Sequence, residues 1–219
     1  MKTIGLIPFW FNNGNSRDIK KLAGKHLIDY SVSLLNASTL IEETIIYSSY
    51  QDILNYIDPE LKVTHLSRDS SLDNEDILIE DIIESFFADY TAETLVLLHP
   101  YSPFLTLDTL NECIKKVQTN VYDSAFTAIE TKKFAWYKDN PLNFDRTKKS
   151  PKLKDLDSII SEQGLLYVLT KESFLQHKSR VGNNPYMHII NHFEGHEINE
   201  KKDFEIAELI INSGMFQGI

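Results

Sequence analysis

Short apolar runs alternate along this chain with longer stretches whose apolar positions recur every three or four residues, and few folds accommodate that rhythm. Residues 3–8, 44–48, 61–65, 94–98, 122–129, 164–169 and about 187–190 read as strands. Between and after them, residues 26–40, a short piece near 51–57, 74–90, 107–117, a stretch from Lys171, and 203–212 read as helices. Within 74–90, Ile79, Ile82, Ile83, Phe86, Phe87 and Tyr90 fall at helical spacing. The run TLVLL at 94–98 has the composition of a central parallel strand. Strands separated by helices imply right-handed crossovers and helices on both faces of the sheet. The expected class is α/β with a mostly parallel, Rossmann-like sheet, whose ligands sit beyond the carboxyl ends of the strands.

At 219 residues the chain suits a single domain that buries a sizeable core without staples. Its 22 basic and 32 acidic residues leave a formal charge of −10, which argues against a surface built for nucleic acid or an anionic membrane. Cys113 is alone, excluding an internal disulfide framework and a cysteine-based zinc site. The histidines show no zinc-ligand spacing. Lys2 follows Met1 directly and the next apolar run is short, so the expectation is a first strand rather than a signal peptide, in a cytoplasmic protein. The rhythm breaks at 130–161, which is Lys-rich and holds Pro141 and Pro151. It is too long for a plain connection and is expected to be a lid or dimerisation arm.

Three places are suited to chemistry. Strand 3–8 empties at Pro8 and Phe9 into a loop with Asn13, Gly14 and Asn15, followed by Arg17, Lys20, Lys21 and Lys25. Backbone amides and cations ahead of a helix suit a phosphate, although a solvated basic turn has the same composition. Directly after TLVLL, His99-Pro100-Tyr101-Ser102-Pro103 forms a stiff turn at the ligand edge, where His99 and Ser102 can meet a nucleobase. The bland alternative is a strand-ending turn that caps the next helix. Glu197 and Asn199 alternate on what reads as a strand end, placing both on one side for a divalent cation. Asp203 begins the next helix and reads as its cap.

With these in view the chain resembles the CTP-dependent sugar-acid cytidylyltransferases, the family of CMP-N-acetylneuraminate and CMP-Kdo synthetases. That family's Lys-Asn-Ile-Lys-Pro-Leu-x-Gly-Lys-Pro-Leu-Ile segment stands here as Arg17-Asp18-Ile19-Lys20-Lys21-Leu22-Ala23-Gly24-Lys25-His26-Leu27-Ile28. Its Leu-Gln-Pro-Thr-Ser-Pro turn stands as Leu98-His99-Pro100-Tyr101-Ser102-Pro103. Its Asp-Leu-x-Pro-Ile and Gly-x-x-Tyr blocks are echoed by Asp155–Ile159 and Gly164–Tyr167, and its closing Asp-Ile-Asp block by Glu197-Ile198-Asn199. The resemblance implies a fold of the nucleotide-diphosphosugar transferase type, usually a homodimer, that moves CMP from CTP to a sugar acid with release of pyrophosphate. It also implies Mg²⁺ as cofactor and Glu197 and Asn199 as its ligands. By the same match Arg17 and Lys25 are catalytic. Pro8, Phe9, Asn13, Gly14, Asn15, Arg68, His99 and Ser102 would bind nucleotide, and Tyr101 and Gln163 would face the acceptor. The chain departs from the pattern in five places: the family's Ala-Arg-Gly-Gly-Ser-Lys loop is the shorter, aromatic Phe9-Trp10-Phe11-Asn12-Asn13-Gly14-Asn15-Ser16 here, Leu105 replaces a frequent arginine, Tyr47-Ser48-Ser49-Tyr50 lacks the usual Ser-Thr-Asp, the first metal aspartate is Glu197, and the second is Asn199. The alternative these departures leave open is a binding or partner subunit that keeps the fold without the transfer.

Overall fold

The computed structural model describes residues 2–11, 16–74 and 76–214. In chain order its elements begin with β1 (Thr3–Pro8), a small hairpin of β2 (Lys21–Leu22) and β3 (Lys25–His26), and α1 (Leu27–Ala37). They continue through β4 (Glu43–Ser48), β5 (Thr64–Ser67), α2 (Ile79–Asp89), β6 (Thr94–Leu98), α3 (Leu107–Gln118) and β7 (Ser124–Thr131). A second hairpin, β8 (Trp136–Tyr137) with β9 (Asn140–Pro141), precedes β10 (Ile159–Thr170), α4 (Lys171–His177), β11 (Pro185–Ile189) and α5 (Lys201–Asn212).

Seven strands form one sheet in the order β11-β7-β10-β6-β1-β4-β5. β1 pairs parallel with β4 and β6, β4 with β5, and β7 with β11, while β10 runs antiparallel between β6 and β7. Six strands thus point their carboxyl ends the same way, and β10 brings its amino end to that edge. Every residue of β1 and β6 is buried. Alternate side chains serve opposite faces: Ile7, Val96 and Leu98 pack with α1 and α3 through Val32, Leu35, Leu110 and Ile114. Ile4, Leu6, Leu95 and Leu97 pack with α2 and α4 through Ile82, Phe86 and Phe174. Gly5 lets α1 close on β1, since a Cβ there would stand 3.0 Å from Leu35 Cδ1.

The α/β class and the layering agree with the sequence, and the boundaries differ where polar side chains compete with the backbone. The expected helix over 74–90 starts only at Ile79, where Asp81 accepts from Leu78 N at 2.9 Å. Before it, Asp69 accepts from Ser71 N and Asn74 from Asp76 N, turns that forestall a helix. The helix over 26–40 stops at Ala37, where Ser38 Oγ accepts from Leu40 N. The strand expected at 61–65 lies at Thr64–Ser67; Leu61 and Val63 approach it and pack on the core instead. β10 begins at Ile159, within the segment read as irregular, because its first half is largely exposed and carries no continuous apolar run.

Leu97, fully buried in the central strand, tests this layering. Leu97→Ala is expected to cost about 2–5 kcal/mol of stability in urea unfolding. A loss below about 1 kcal/mol would contradict the packing of α2 on β6.

Candidate active site

The loop after β1 passes into a single 3-10 turn, Arg17–Ile19, opened by Ser16, whose hydroxyl accepts from Asp18 N at 3.3 Å. This turn aims Arg17 across the carboxyl edge. Its guanidinium lies 4.4 Å from the centre of the Tyr101 ring, Nε is 3.4 Å from Asp18 Oδ1, and Nη1 donates to Asn199 Oδ1 at 3.1 Å. Asp18 is buried, and its pKa is raised by desolvation against the opposing pull of Arg17.

Tyr101 is the meeting point. Its hydroxyl donates to Gly164 O at 3.3 Å and its carbonyl accepts from Ile198 N at 3.0 Å. The His99 ring stacks on it at 5.1 Å and 19°. Burial, then the nearby Glu197 charge, pushes the Tyr101 hydroxyl up to about 12. Glu197 and Asn199 lie in the loop before α5 and not on a strand end, as the alternation had suggested. Buried Ile198 between them nevertheless turns both outward together, and Asn199 Nδ2 donates to Glu197 Oε2 at 3.1 Å. Asp203 is the cap the sequence indicated: Oδ2 accepts from Asn199 N at 2.8 Å and Glu200 N at 2.7 Å, and these bonds lower its pKa.

A cleft of about 460 Å³ is lined by Arg17, Lys20, Lys21 and Lys201, by Asn199 and Phe204, and also by Glu200, Glu205 and Glu208. A hollow of about 610 Å³ lies at the opposite edge of the sheet, where Glu42 accepts from Thr3 N, and Glu43 accepts from Thr64 and Tyr90. Its carboxylates are engaged in holding strands, so the cleft at the carboxyl edge is the functional candidate.

The structure draws together Arg17, His99, Tyr101, Glu197 and Asn199, with Gln163 and Gly164 at the β10 bulge. Ser102 is buried in the same turn, and its hydroxyl has no partner among the described residues. Lys25 does not join them: it is exposed on the β3 hairpin and makes no ion pair among the described residues. Asn13, Gly14 and Asn15 lie outside the described residues. Pro8 is buried at the end of β1. Phe9, expected at the nucleotide, is a core residue, fully buried against Ile7 and Ile28. Phe11 stacks on Tyr50 at 4.0 Å. Arg68 is enclosed rather than offered: Trp10 covers it at 4.8 Å, Nη1 donates to Tyr47 O at 2.6 Å, Nη2 pairs with Asp73 at 2.7 Å, and Nε has no partner among the described residues.

One cation escaped the sequence reading. Arg180 lies beyond α4, donates to Glu80 at 2.7 Å and Glu162 at 3.2 Å, and lies 4.9 Å from the Tyr167 ring centre. Its charge reaches His99, whose pKa is lowered to about 4 by burial first and then by Arg180 and Arg17. A usable signal was the scarcity of arginine: the chain has only Arg17, Arg68, Arg146 and Arg180, and three of them gather at this edge.

Comparison with known proteins places this edge in context. The fold matches a solved CMP:2-keto-3-deoxy-manno-octonic acid synthetase complexed with CTP over 98% of this chain and 100% of that one, with a TM-score of 0.71 and 11% identity. It also matches the 4-diphosphocytidyl-2C-methyl-D-erythritol synthase of Anaerococcus prevotii DSM 20548 at 0.62 and 13%, over 96% of each chain. A further structure of a 4-diphosphocytidyl-2C-methyl-D-erythritol synthase matches at 0.65 and 10%, over 96% of this chain and 98% of that one. No curated protein sequence matches. The architecture is that of the nucleotide-diphosphosugar transferases, an α/β class. Residues 16–189 match the family model for Cytidylyltransferase, and the chain belongs to that family of nucleotidyltransferases.

His99 gives the site a pH signature. Between about 4 and the ordinary value of 6.5, the unfolded chain binds a proton that the folded chain refuses, so stability rises with pH across that window and falls on acidification. His99→Gln is expected to flatten the dependence of melting temperature on pH between about 4.5 and 7. An unchanged slope would assign the acid sensitivity to other groups.

Proposed function

We propose that this chain transfers CMP from CTP to the hydroxyl of a sugar acid, of the acylneuraminate or 2-keto-3-deoxy type, for surface glycan synthesis. The observation that carries the reading is the convergence of Arg17, Lys20 and Lys21 on one cleft beside the His99–Ser102 turn, at the carboxyl edge of a cytidylyltransferase-family sheet. In this reading the basic side chains hold the triphosphate. The acceptor hydroxyl attacks the α-phosphorus in line and gives up its proton to water, an O–P bond forms as the bond to the β-phosphate oxygen breaks, and pyrophosphate leaves. The protein's share of such chemistry is positioning and charge neutralisation. In this reading His99, neutral at physiological pH, offers a hydrogen bond to a pyrimidine base without adding charge, and the buried Ser102 hydroxyl stands in the same turn. On the same reading Tyr101 and Gln163 face the acceptor, Gln163 from the start of the β10 bulge.

The arm between β7 and β10 supports a second element of the reading, a homodimer. Trp136, Tyr137, Leu142 and Leu153 are each more than half exposed there. In this reading a second copy covers that apolar row. Among the described residues no helix is long and apolar enough to cross a membrane.

Isothermal titration calorimetry with CTP, UTP, ATP and GTP tests the nucleotide reading; selective CTP binding is expected. Arg17→Ala should weaken it by about 10- to 100-fold, the value of a charge-assisted hydrogen bond. Binding by no nucleotide would sink the transferase reading and leave a partner subunit that kept the fold. Light scattering should give twice the 25.3 kDa chain mass, and Trp136→Asp combined with Leu142→Asp should halve it. A monomeric wild-type chain would refute the arm's role.

A further inference from the structure

The resemblance calls for two carboxylates around a divalent cation, and this chain offers Glu197 and Asn199. The folded chain couples both to Arg17. Arg17 Nη1 donates to Asn199 Oδ1 at 3.1 Å, and Asn199 Nδ2 donates to Glu197 Oε2 at 3.1 Å. The carboxamide has one orientation that satisfies both neighbours. Its oxygen must face the guanidinium, which only donates, and its amino group must face the carboxylate, which only accepts. A metal ion held jointly by Glu197 and Asn199 needs that oxygen turned toward Glu197, which sets the amino group against Arg17. The donor set therefore fits a guanidinium better than a metal.

Independent contacts hold each part of this chain of bonds. The Tyr101 ring supports Arg17 at 4.4 Å, and its carbonyl holds Ile198 N at 3.0 Å between Glu197 and Asn199. Asp203, at the start of α5, directs Oδ2 to the amides of Asn199 and Glu200. Among the described residues no group of three or more His, Cys, Asp or Glu side chains is placed to hold a metal ion.

We propose that Asn199 is a positioning residue that ties Arg17 to Glu197, and that Arg17 supplies the positive charge a protein-held divalent ion would otherwise bring to this pair. The proposal rests on the triphosphate reading above and specifies which cation the protein itself contributes. A guanidinium suits that role because its charge is permanent and its planar fork matches phosphate oxygens. Replacing the carboxamide by a carboxylate removes the orientation lock and adds the charge on which divalent-ion affinity depends. Asn199→Asp is therefore the informative substitution, and it is sterically conservative in an exposed loop.

The test is titration of nucleotide-free protein with Mn²⁺, with the free ion followed by electron paramagnetic resonance. The wild type is expected to show no stoichiometric uptake below about 1 mM, and Asn199→Asp is expected to bind at least about tenfold more tightly. Stoichiometric wild-type uptake that Glu197→Gln abolishes would overturn the proposal, as would an Asn199→Asp variant no tighter than wild type. A second arm measures CTP binding by calorimetry in EDTA and in Mg²⁺. Affinities within a factor of about three, well under 1 kcal/mol, support the proposal. CTP binding that requires Mg²⁺ overturns it and leaves the nucleotide reading intact. Absence of CTP binding in both buffers removes that reading instead, and the Mn²⁺ arm still decides which cation these side chains accept.

Discussion

Strands buried on both faces cannot carry chemistry along their length, and this sheet has two of them at its centre. With β1 and β6 closed to water throughout, a charged group on either would have to be desolvated without compensation. Polar function is displaced to the strand ends. The reversed strand β10 adds its amino-terminal half to the same edge, so Glu162 and Gln163 arrive beside loops that follow parallel strands. A small apolar cluster beneath, formed by Leu22, Leu27, Phe104, Ile198 and Ala207, fastens the closing helix to this edge. The site is thus a seam between the sheet and the last segment of the chain.

The charges along that seam follow one pattern. Arg17 lies over Tyr101 with Asp18 alongside, Arg68 lies under Trp10 with Asp73, and Arg180 lies over Tyr167 with Glu80 and Glu162. A flat ring and a carboxylate fix a guanidinium better than either does alone, because stacking sets the plane and the ion pair sets the rotation. They differ in access. The Arg68 side chain is fully enclosed and its Asp73 pair is structural; the Arg17 side chain is about one-third exposed and faces the cleft. Three arginines of one kind thus divide into a buried brace, Arg68, and two that are each about one-third exposed, Arg17 at the cleft and Arg180 between Glu80 and Glu162.

The sheet and its helices were legible because burial on two faces leaves continuous apolar runs, and packing on one face leaves a helical period. β1 and β6 were placed to the residue, and α3 nearly so. Legibility failed at the Asp- and Asn-rich approach to α2, where side chains take the backbone's hydrogen bonds, and in the exposed half of β10. The residue types of the turn after β6 and of Glu197 and Asn199 marked them out from plain connections, but the pair was expected on a strand end and lies in a loop, tied to Arg17. Arg180 was not, since it acts on groups as far as 100 residues away in sequence and no local spacing marks it. Phe9 misled for the opposite reason: an aromatic beside a phosphate loop reads as a stacking surface, and only its tertiary neighbours reveal a core residue.

The enclosure of Arg68 has an optical consequence. The chain has two tryptophans, and they stand in unlike places. Trp10 lies against the Arg68 guanidinium, its indole nitrogen donating to Leu72 O, while Trp136 is half exposed on the arm. One indole is thus held beside a cation and partly covered, and the other is about half exposed. The molecule carries two tryptophan fluorophores, and substituting either one isolates the other as a reporter of its own region under excitation selective for tryptophan.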